Sequence, residues 1–403
     1  DMKLNTIEEA LEDIKKGKII IVVDDEDREN EGDFVMSAEL ITPEAVNFMA
    51  TVGKGLICTP LTKELAQKYD LPLQVQTNTA SLGTAFTITI DAKEKISTGI
   101  SAMDRSHSIK LLSKPTTVST DFVRPGHIFP LIAQDGGVLV RNGHTEASVD
   151  LCRMSGLAPV AVICEIINDD GTMARLPDLI ELAKKHDLKI ISIEDLINYR
   201  KKTENLISQV ESIPFPCKYG EDFRLYIFRS KLLGEEHMAI VKGELNSLKD
   251  NPLVRLHSEC FTGDVLGSSR CDCGEQLDTA LRTISENDKG MVIYLKQEGR
   301  GIGLFNKIRA YQLQDQGFDT VDANLELGHP IDNRNYTMAV QILNYFEVNK
   351  VQLMTNNPQK LADLTNMGIE NTRFPLEITP AERNQKYLET KKTRLGHLLN
   401  NVK

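Results

Sequence analysis

The sequence predicts an α/β protein (mixed α+β) of two domains, each a mixed β-sheet packed with helices. Three observations predict it. Its 403 residues suffice for two or three domains at ~150 residues each. Short β-branched runs of strand length alternate with segments whose apolar residues recur at helical spacing. A stretch near the middle, Tyr199–Gly220, holds RKKTEN and then the breaker-rich PFPCKYG, and reads as a linker. The domains are drawn accordingly at 1–200 and 201–403.

The elements follow in order. Ile7, Ala10, Leu11 and Ile14 share one helical face, and Gly17 stops the helix. Ile19 to Val23 is a buried strand by its β-branched run, and the acidic segment Asp24–Asp33 leaves its end. Thr84–Asp91, Gly137–Val140 and Val160–Ile167 read as strands. Pro177–His186 and Ile193–Arg200 read as helices. Beyond the linker, Phe223–Phe228 and Met291–Leu295 read as strands, and Thr337–Phe346 and Asn357–Asn366 as helices.

Composition narrows the function. A net charge of −11 argues against nucleic acid as the main partner, since phosphate-backbone binding needs a basic face. With 41% hydrophobic and 26% charged residues the chain is globular, not fibrous or disordered. No apolar run exceeds five residues, so no membrane span is expected. The opening residues carry acids and no apolar core, and the seven cysteines are odd in number and mostly scattered. Both point to a reducing cytoplasm without a disulfide framework.

In the second half Cys260, Cys271 and Cys273 cluster inside RLHSECFTGDVLGSSRCDCGEQLD. Three thiolates can hold zinc with a fourth position open to water. A closed structural site with His257 as fourth ligand is the alternative. Gly299, Gly301 and Gly303 follow a strand and precede a helix, where backbone N–H groups can approach an anion. Arg300 offers a phosphate fork there, and Glu298 an acceptor for a guanine edge. Asp332-Asn333-Arg334-Asn335-Tyr336 and the segment TNNPQK, with Thr355 and Lys360, read as polar helix starts.

In the first half, Asp24 to Asp33 holds seven carboxylates in ten residues directly after a strand. Such crowding repels, and cation binding relieves it. An EF-hand fails, because its twelfth position is Ala38. His127 lies in RPGHIFP. His144 opens a helix in RNGHTEASVD, with Thr145 as candidate cap and Arg141 as phosphate partner. Glu165 sits inside the apolar VAVICEII, where a carboxylate must be paired or functional.

RLHSEC, SSRCDCGEQL, QEGRGIGLFNKIRAYQLQDQG and TNNPQK together resemble GTP cyclohydrolase II, from about Pro214 to the C-terminal TKKTRLGHLL. The resemblance implies release of formate and pyrophosphate from GTP, with Zn2+ on Cys260, Cys271 and Cys273 and Mg2+ accompanying the triphosphate. It implies Asp332 as proton acceptor, Tyr311 as a polar group near the site, and Arg334 as covalent nucleophile or, alternatively, an electrostatic clamp. Arg255, His257, Ser258, Glu259, Gln276, Glu298, Gly299, Arg300, Thr320, Thr355 and Lys360 match positions that contact GTP.

DDEDRENEGD, TGISAMDRSHSI, RPGHIFPL, RNGHTEASVDL and VICEI resemble 3,4-dihydroxy-2-butanone 4-phosphate synthase over roughly residues 3–200. That implies conversion of D-ribulose 5-phosphate to dihydroxybutanone phosphate and formate. Glu29 and His144 match ligands of Mg2+ or Mn2+. Arg28, Glu29, Asp33, Arg141, Asn142, Gly143, His144, Thr145 and Glu165 match sugar-phosphate contacts, and His127 and Glu165 match catalytic positions. Cys58 matches a position beside that site. The two resemblances imply a bifunctional enzyme of riboflavin synthesis and a homodimer whose synthase sites are completed across the interface. The alternative is one active half, with the other a scaffold or regulatory domain.

Overall fold

A computed structural model describes all residues except 1–3, 233, 319–321, 324–326, 328–334, 377–391, 393–397 and 399–403. The chain divides into two compact units, Asp1–Thr203 and Glu204–Lys403.

The first unit is built on strands β1 (Ile20–Val23), β2 (Gly32–Ser37), β3 (Cys58–Leu61), β4 (Ile90–Ala92), β5 (Phe122–Ile132), β6 (Ala161–Glu165) and β7 (Ile190–Ser192). They form one mixed sheet in the order β4-β5-β3-β6-β2-β1-β7. All four residues of β1 are buried. Ile21 and Val23 pack into one apolar cluster and Ile20 and Val22 into another, because successive side chains point to opposite faces. An unbroken apolar run therefore marks a strand covered on both sides. The helix Ile7–Lys15 covers one face and starts at a capping box between Thr6 and Glu9.

The second unit carries β8 (Ile207–Pro214), β9 (Phe223–Ser230), β10 (Glu236–Lys242), β11 (Leu253–Ser258), β12 (Gly290–Leu295), β13 (Lys350–Met354) and β14 (Glu370–Phe374), in the order β14-β13-β11-β12-β10-β9-β8. From β8 to β12 neighbours in this order are antiparallel. The β11–β12, β11–β13 and β13–β14 pairs are parallel. From β11 the chain crosses to β12 on one side and later to β13 on the other. The carboxyl ends of β11 and β13, where the strand order reverses, are the usual ligand position in such sheets.

Three expected elements differ. Of Thr84–Asp91 only Ile90 and Asp91 lie in a strand, while Phe86 and Thr87 make isolated bridges. Gly137–Val140 is no strand: Gly137–Leu139 forms a 3-10 turn, because Gly136 and Gly137 adopt φ of 89° and 62°. Apolar runs of that length read alike in both states. Tyr199–Gly220 does hold the junction of the two units, between Thr203 and Glu204, but most of it is regular structure. The helix Ile193–Thr203 runs into it and β8 fills much of it, pairing with β9.

Candidate active sites

In the first unit β1 and β2 form a hairpin whose loop is the acidic segment. Val23 pairs with Gly32, and Asp24 organises the loop from within. Its carboxylate accepts the N–H groups of Glu29 (3.1 Å) and Glu31 (2.8 Å) and an Arg28 guanidinium bond (3.0 Å). Arg28 also donates to Glu29 at 2.9 Å. The buried His144 comes from the start of the helix His144–Met154, and its Nε2 lies 3.0 Å from the Val22 carbonyl. That contact selects the Nε2–H tautomer and turns Nδ1 toward Glu29 Oε2, 3.6 Å away. Asp24, Glu29 and His144 then offer ligand atoms all within 4.8 Å of one another. Oxygen donors with one imidazole suit a hard divalent cation.

Electrostatics agree with that crowding. The His144 contact, chief among its causes, holds the Glu29 carboxyl below its ordinary range. Burial pushes Asp33 up to about 7, with Glu165, Glu29 and Glu31 adding to it and His144 opposing. Burial depresses His144, but Asp33, Glu29 and Asp24 outweigh it and carry the imidazole to about 9. Asp33 pairs with Glu165 across the β2–β6 ladder. Glu165 Oε2 accepts the Leu56 N–H at 2.8 Å, and a Cβ on Gly55 would stand 2.4 Å from the Glu165 carbonyl. Cys58 is buried and its thiol is pushed up by that burial, so it packs as a small hydrophobe.

Thr145 does not cap the helix. Gly143 is the cap residue and offers no side chain to the first backbone donors. A Cβ there would lie 2.5 Å from Arg141 Nη1 and 3.0 Å from Arg28 Nη2, so both guanidinium groups converge over this glycine. Arg141 is held by Glu146 at 2.6 Å and the Leu82 carbonyl at 3.0 Å. Asn142 lies in the same loop, exposed.

His127 stands apart on β5. No hydrogen bond or ion pair among the described residues joins it to the Glu29–His144 cluster. Its partner is Asp91, which sequence reasoning missed: Oδ1 accepts the His127 N–H at 2.8 Å and Oδ2 lies 2.7 Å from Nδ1. Gly99 closes over the pair, where a Cβ would meet both. In the sequence Asp24 is one acid among seven. The one sequence signal for Asp91 is a lone acid closing the expected strand Thr84–Asp91.

In the second unit the ends of β11, β12 and β13 carry the predicted groups. Cys260 and Cys271 place their sulfurs 3.6 Å apart, and with Cys273 all three lie within 4.8 Å. Gly263 makes room, since a Cβ there would stand 3.0 and 3.1 Å from two of the sulfurs. The Cys271 and Cys273 thiols, and then Lys307, hold Cys260 far below the ordinary thiol range, while Cys271 rises to about 11. Three thiols with one already favoured as thiolate fit a soft divalent cation. His257 is not part of the cluster: its Nε2 is 3.0 Å from Asp264, which also accepts from the Cys260 N–H and the Tyr294 hydroxyl. The four-ligand alternative is therefore not what this fold builds. Nδ1 of His257 is buried without a partner among the described residues.

Arg255 and Lys360 are buried beside β11 and β13. Arg255 donates to the Met354 carbonyl (2.9 Å) and to Gln276, and Lys360 to the Leu256 carbonyl (3.0 Å). Ser258 accepts from Gln297 at 2.9 Å, Glu259 pairs with Lys296 at 2.7 Å, and Thr355 accepts the Asn357 N–H at 3.1 Å. Gly299 lies in the turn Glu298–Gly301 with φ 63°. Burial pushes the Tyr311 phenol up to about 12, so it stays protonated. Thr320, Asp332, Arg334 and the Arg300 side chain lie outside the described residues.

The comparisons follow this division. Residues 8–199 match the family model of 3,4-dihydroxy-2-butanone 4-phosphate synthase, and residues 208–374 that of GTP cyclohydrolase II. The riboflavin biosynthesis protein RibBA of Parabacteroides distasonis is 53% identical over 406 residues, covering 100% of both chains. The chain belongs to the RibBA family. The Bacillus subtilis RibBA is 54% identical and covers 98% of each chain. A crystal structure of RibBX, a two-domain 3,4-dihydroxy-2-butanone 4-phosphate synthase from A. baumannii, superposes with a TM-score of 0.71 at 35% identity, over 92% of this chain and 99% of that one. As a RibBA the chain is a bifunctional enzyme of riboflavin biosynthesis, a lyase acting on D-ribulose 5-phosphate and a hydrolase acting on GTP.

Proposed function

We propose that the unit Asp1–Thr203 turns over D-ribulose 5-phosphate and the unit Glu204–Lys403 hydrolyses GTP, each at its own metal cluster. The observation that carries this is the pair of donor sets of opposite chemistry: Asp24, Glu29 and His144 in one unit, and Cys260, Cys271 and Cys273 in the other. The first suits Mg2+ or Mn2+ and the second Zn2+. When bound, such cations stabilise charge on substrate oxygens in the first site and activate water in the second.

The chain's own groups do the rest. Arg28 and Arg141, converging at a helix start, fork a phosphate. Asp33 and Glu165 are neighbouring carboxyls that exchange protons with a carbohydrate, Asp33 with its proton affinity near neutrality. Asp91 orients His127 so that Nε2 works as base and then acid. In the second unit Arg255, His257, Ser258, Glu259, Gln276, Glu298, Gly299, Arg300, Thr320, Thr355 and Lys360 receive GTP in this reading. Tyr311 donates a hydrogen bond, Asp332 takes a proton, and Arg334 meets the phosphates.

A homodimer completes the synthase site in this reading. It is supported by the isolation of His127 from the Glu29–His144 cluster and by the exposed Ile100 and Met103 in the segment just after Gly99. A cytoplasmic setting is supported by seven free thiols. No helix among the described residues is long and apolar enough to cross a membrane.

The deciding experiment measures formate from full-length protein with 1,10-phenanthroline and excess Mg2+. Formate from GTP should cease while formate from ribulose 5-phosphate continues. Loss of both, or of neither, overturns the assignment of separate hard and soft sites.

A further inference from the structure

The three thiols have a fourth neighbour that neither reaction accounts for. Lys307 is buried on the helix Gly303–Asp315, and a buried lysine must find partners. Its Nζ lies 3.1 Å from Cys260 Sγ and donates to Glu298 Oε1 at 2.8 Å. Glu298 is itself fastened: Oε2 accepts the Phe261 N–H at 2.6 Å and Oε1 the Gly299 N–H at 2.8 Å. Phe261 directly follows Cys260 in the chain. One ammonium and one carboxylate thus tie the turn after β12 to a thiolate and to that thiolate's chain neighbour. The fit reaches the backbone, where a Cβ on Gly299 would stand 3.1 Å from the Lys307 Cβ. Three thiolates around a divalent cation sum to one negative charge, and Glu298 adds another. Lys307 is a cation in direct contact with both groups, and an uncompensated charge at such depth is costly.

We propose that Lys307 is a positioning residue for the metal centre of the second unit: its ammonium fixes the Cys260 thiolate and draws electron density from it, leaving a bound divalent cation more acidic toward its open position. This rests on the reading of the three cysteines as metal ligands. Outer partners of ligands set metal affinity and electronics in just this way.

The test uses the full chain with cobalt(II) in place of the native metal. The parent should take up cobalt at the thiols and show near-ultraviolet sulfur-to-cobalt absorption. In Lys307→Met that absorption should move to longer wavelength, because an unbonded thiolate is the better donor. Cobalt affinity against a competing chelator should nevertheless fall about tenfold or more, because the Cys260 sulfur is no longer held in place. Lys307→Arg, which keeps the charge, should stay near the parent in both. If Lys307→Met does not fold, Lys307→Gln replaces it. Parent-like absorption and affinity in the uncharged variant overturn the proposal, as does an equal shift in Lys307→Arg and Lys307→Met. A parent that takes up neither cobalt nor zinc overturns instead the ligand reading beneath it.

Discussion

The donors of the first unit come from two distant places, a hairpin loop and the start of a helix, whereas the three thiols of the second come from one short segment, 260–273. The carboxylate cluster exists only because the Val22 carbonyl pins His144 against the loop that Asp24 has organised. The thiols already lie close in the chain, and Gly263 leaves them space while Lys307 and Asp264 hold Cys260. Hard, exchangeable cations tolerate flexible oxygen shells and leave the surrounding acids and bases to move protons. A thiolate site concentrates its electronics in the ligands themselves. In the proposed reading one chain separates two chemistries by donor type.

The largest expected effect crosses the two sites. Cys271→Ser should lower formate release from GTP by more than about 100-fold, beyond what loss of an outer partner does, and reduce bound zinc, with ribulose 5-phosphate turnover near the parent rate. Glu29→Gln should do the reverse. Formate assays and metal analysis on both variants check this, and parallel loss of both activities would break the comparison.

Next is Asp91→Asn, which removes the orienting carboxylate of His127. The ribulose 5-phosphate kcat should fall about 100-fold, the lower end of acid–base contributions, with KM little changed. An unaltered kcat would reduce Asp91 to a packing role. Smaller is Glu146→Gln. It weakens the hold on Arg141, so KM for the sugar phosphate should rise about tenfold while kcat stays within about twofold. Steady-state kinetics separates the two.

The smallest effect is in stability, and the units should differ in sign. In the metal-free first unit Asp33 is raised from 3.8 to about 7 and His144 from 6.5 to about 9. Both bind protons more tightly when folded, so this unit loses stability as pH rises from 5.5 to 7.5. In the second unit burial holds His237 and His257 below their ordinary 6.5. The unfolded chain binds those protons better, so this unit gains stability over the same rise. The change is on the order of 1 kcal/mol per group per pH unit. Hydrogen exchange on chelated protein, corrected for the intrinsic rate, should show protection moving in opposite directions. Movement in one direction would mean that other groups dominate.

Sequence by itself was enough for the two-unit α/β architecture, the strand at Ile20–Val23, the helices at Ile7–Lys15 and Leu176–His186, and the acidic and cysteine segments whose side chains cluster. These are local properties: burial on both faces writes a continuous apolar run, a helix writes a period, and ligands on one loop write a spacing. It misread Gly137–Val140 and the segment around β8, where a turn and an edge strand resemble other things locally. Only the tertiary structure decided that Asp91 serves His127 across 36 residues, that Lys307 reaches Cys260 across 47, and that His257 turns to Asp264 and not to the thiols. A hydrogen bond between residues far apart in the chain leaves no period or spacing behind, because packing alone brings its ends together.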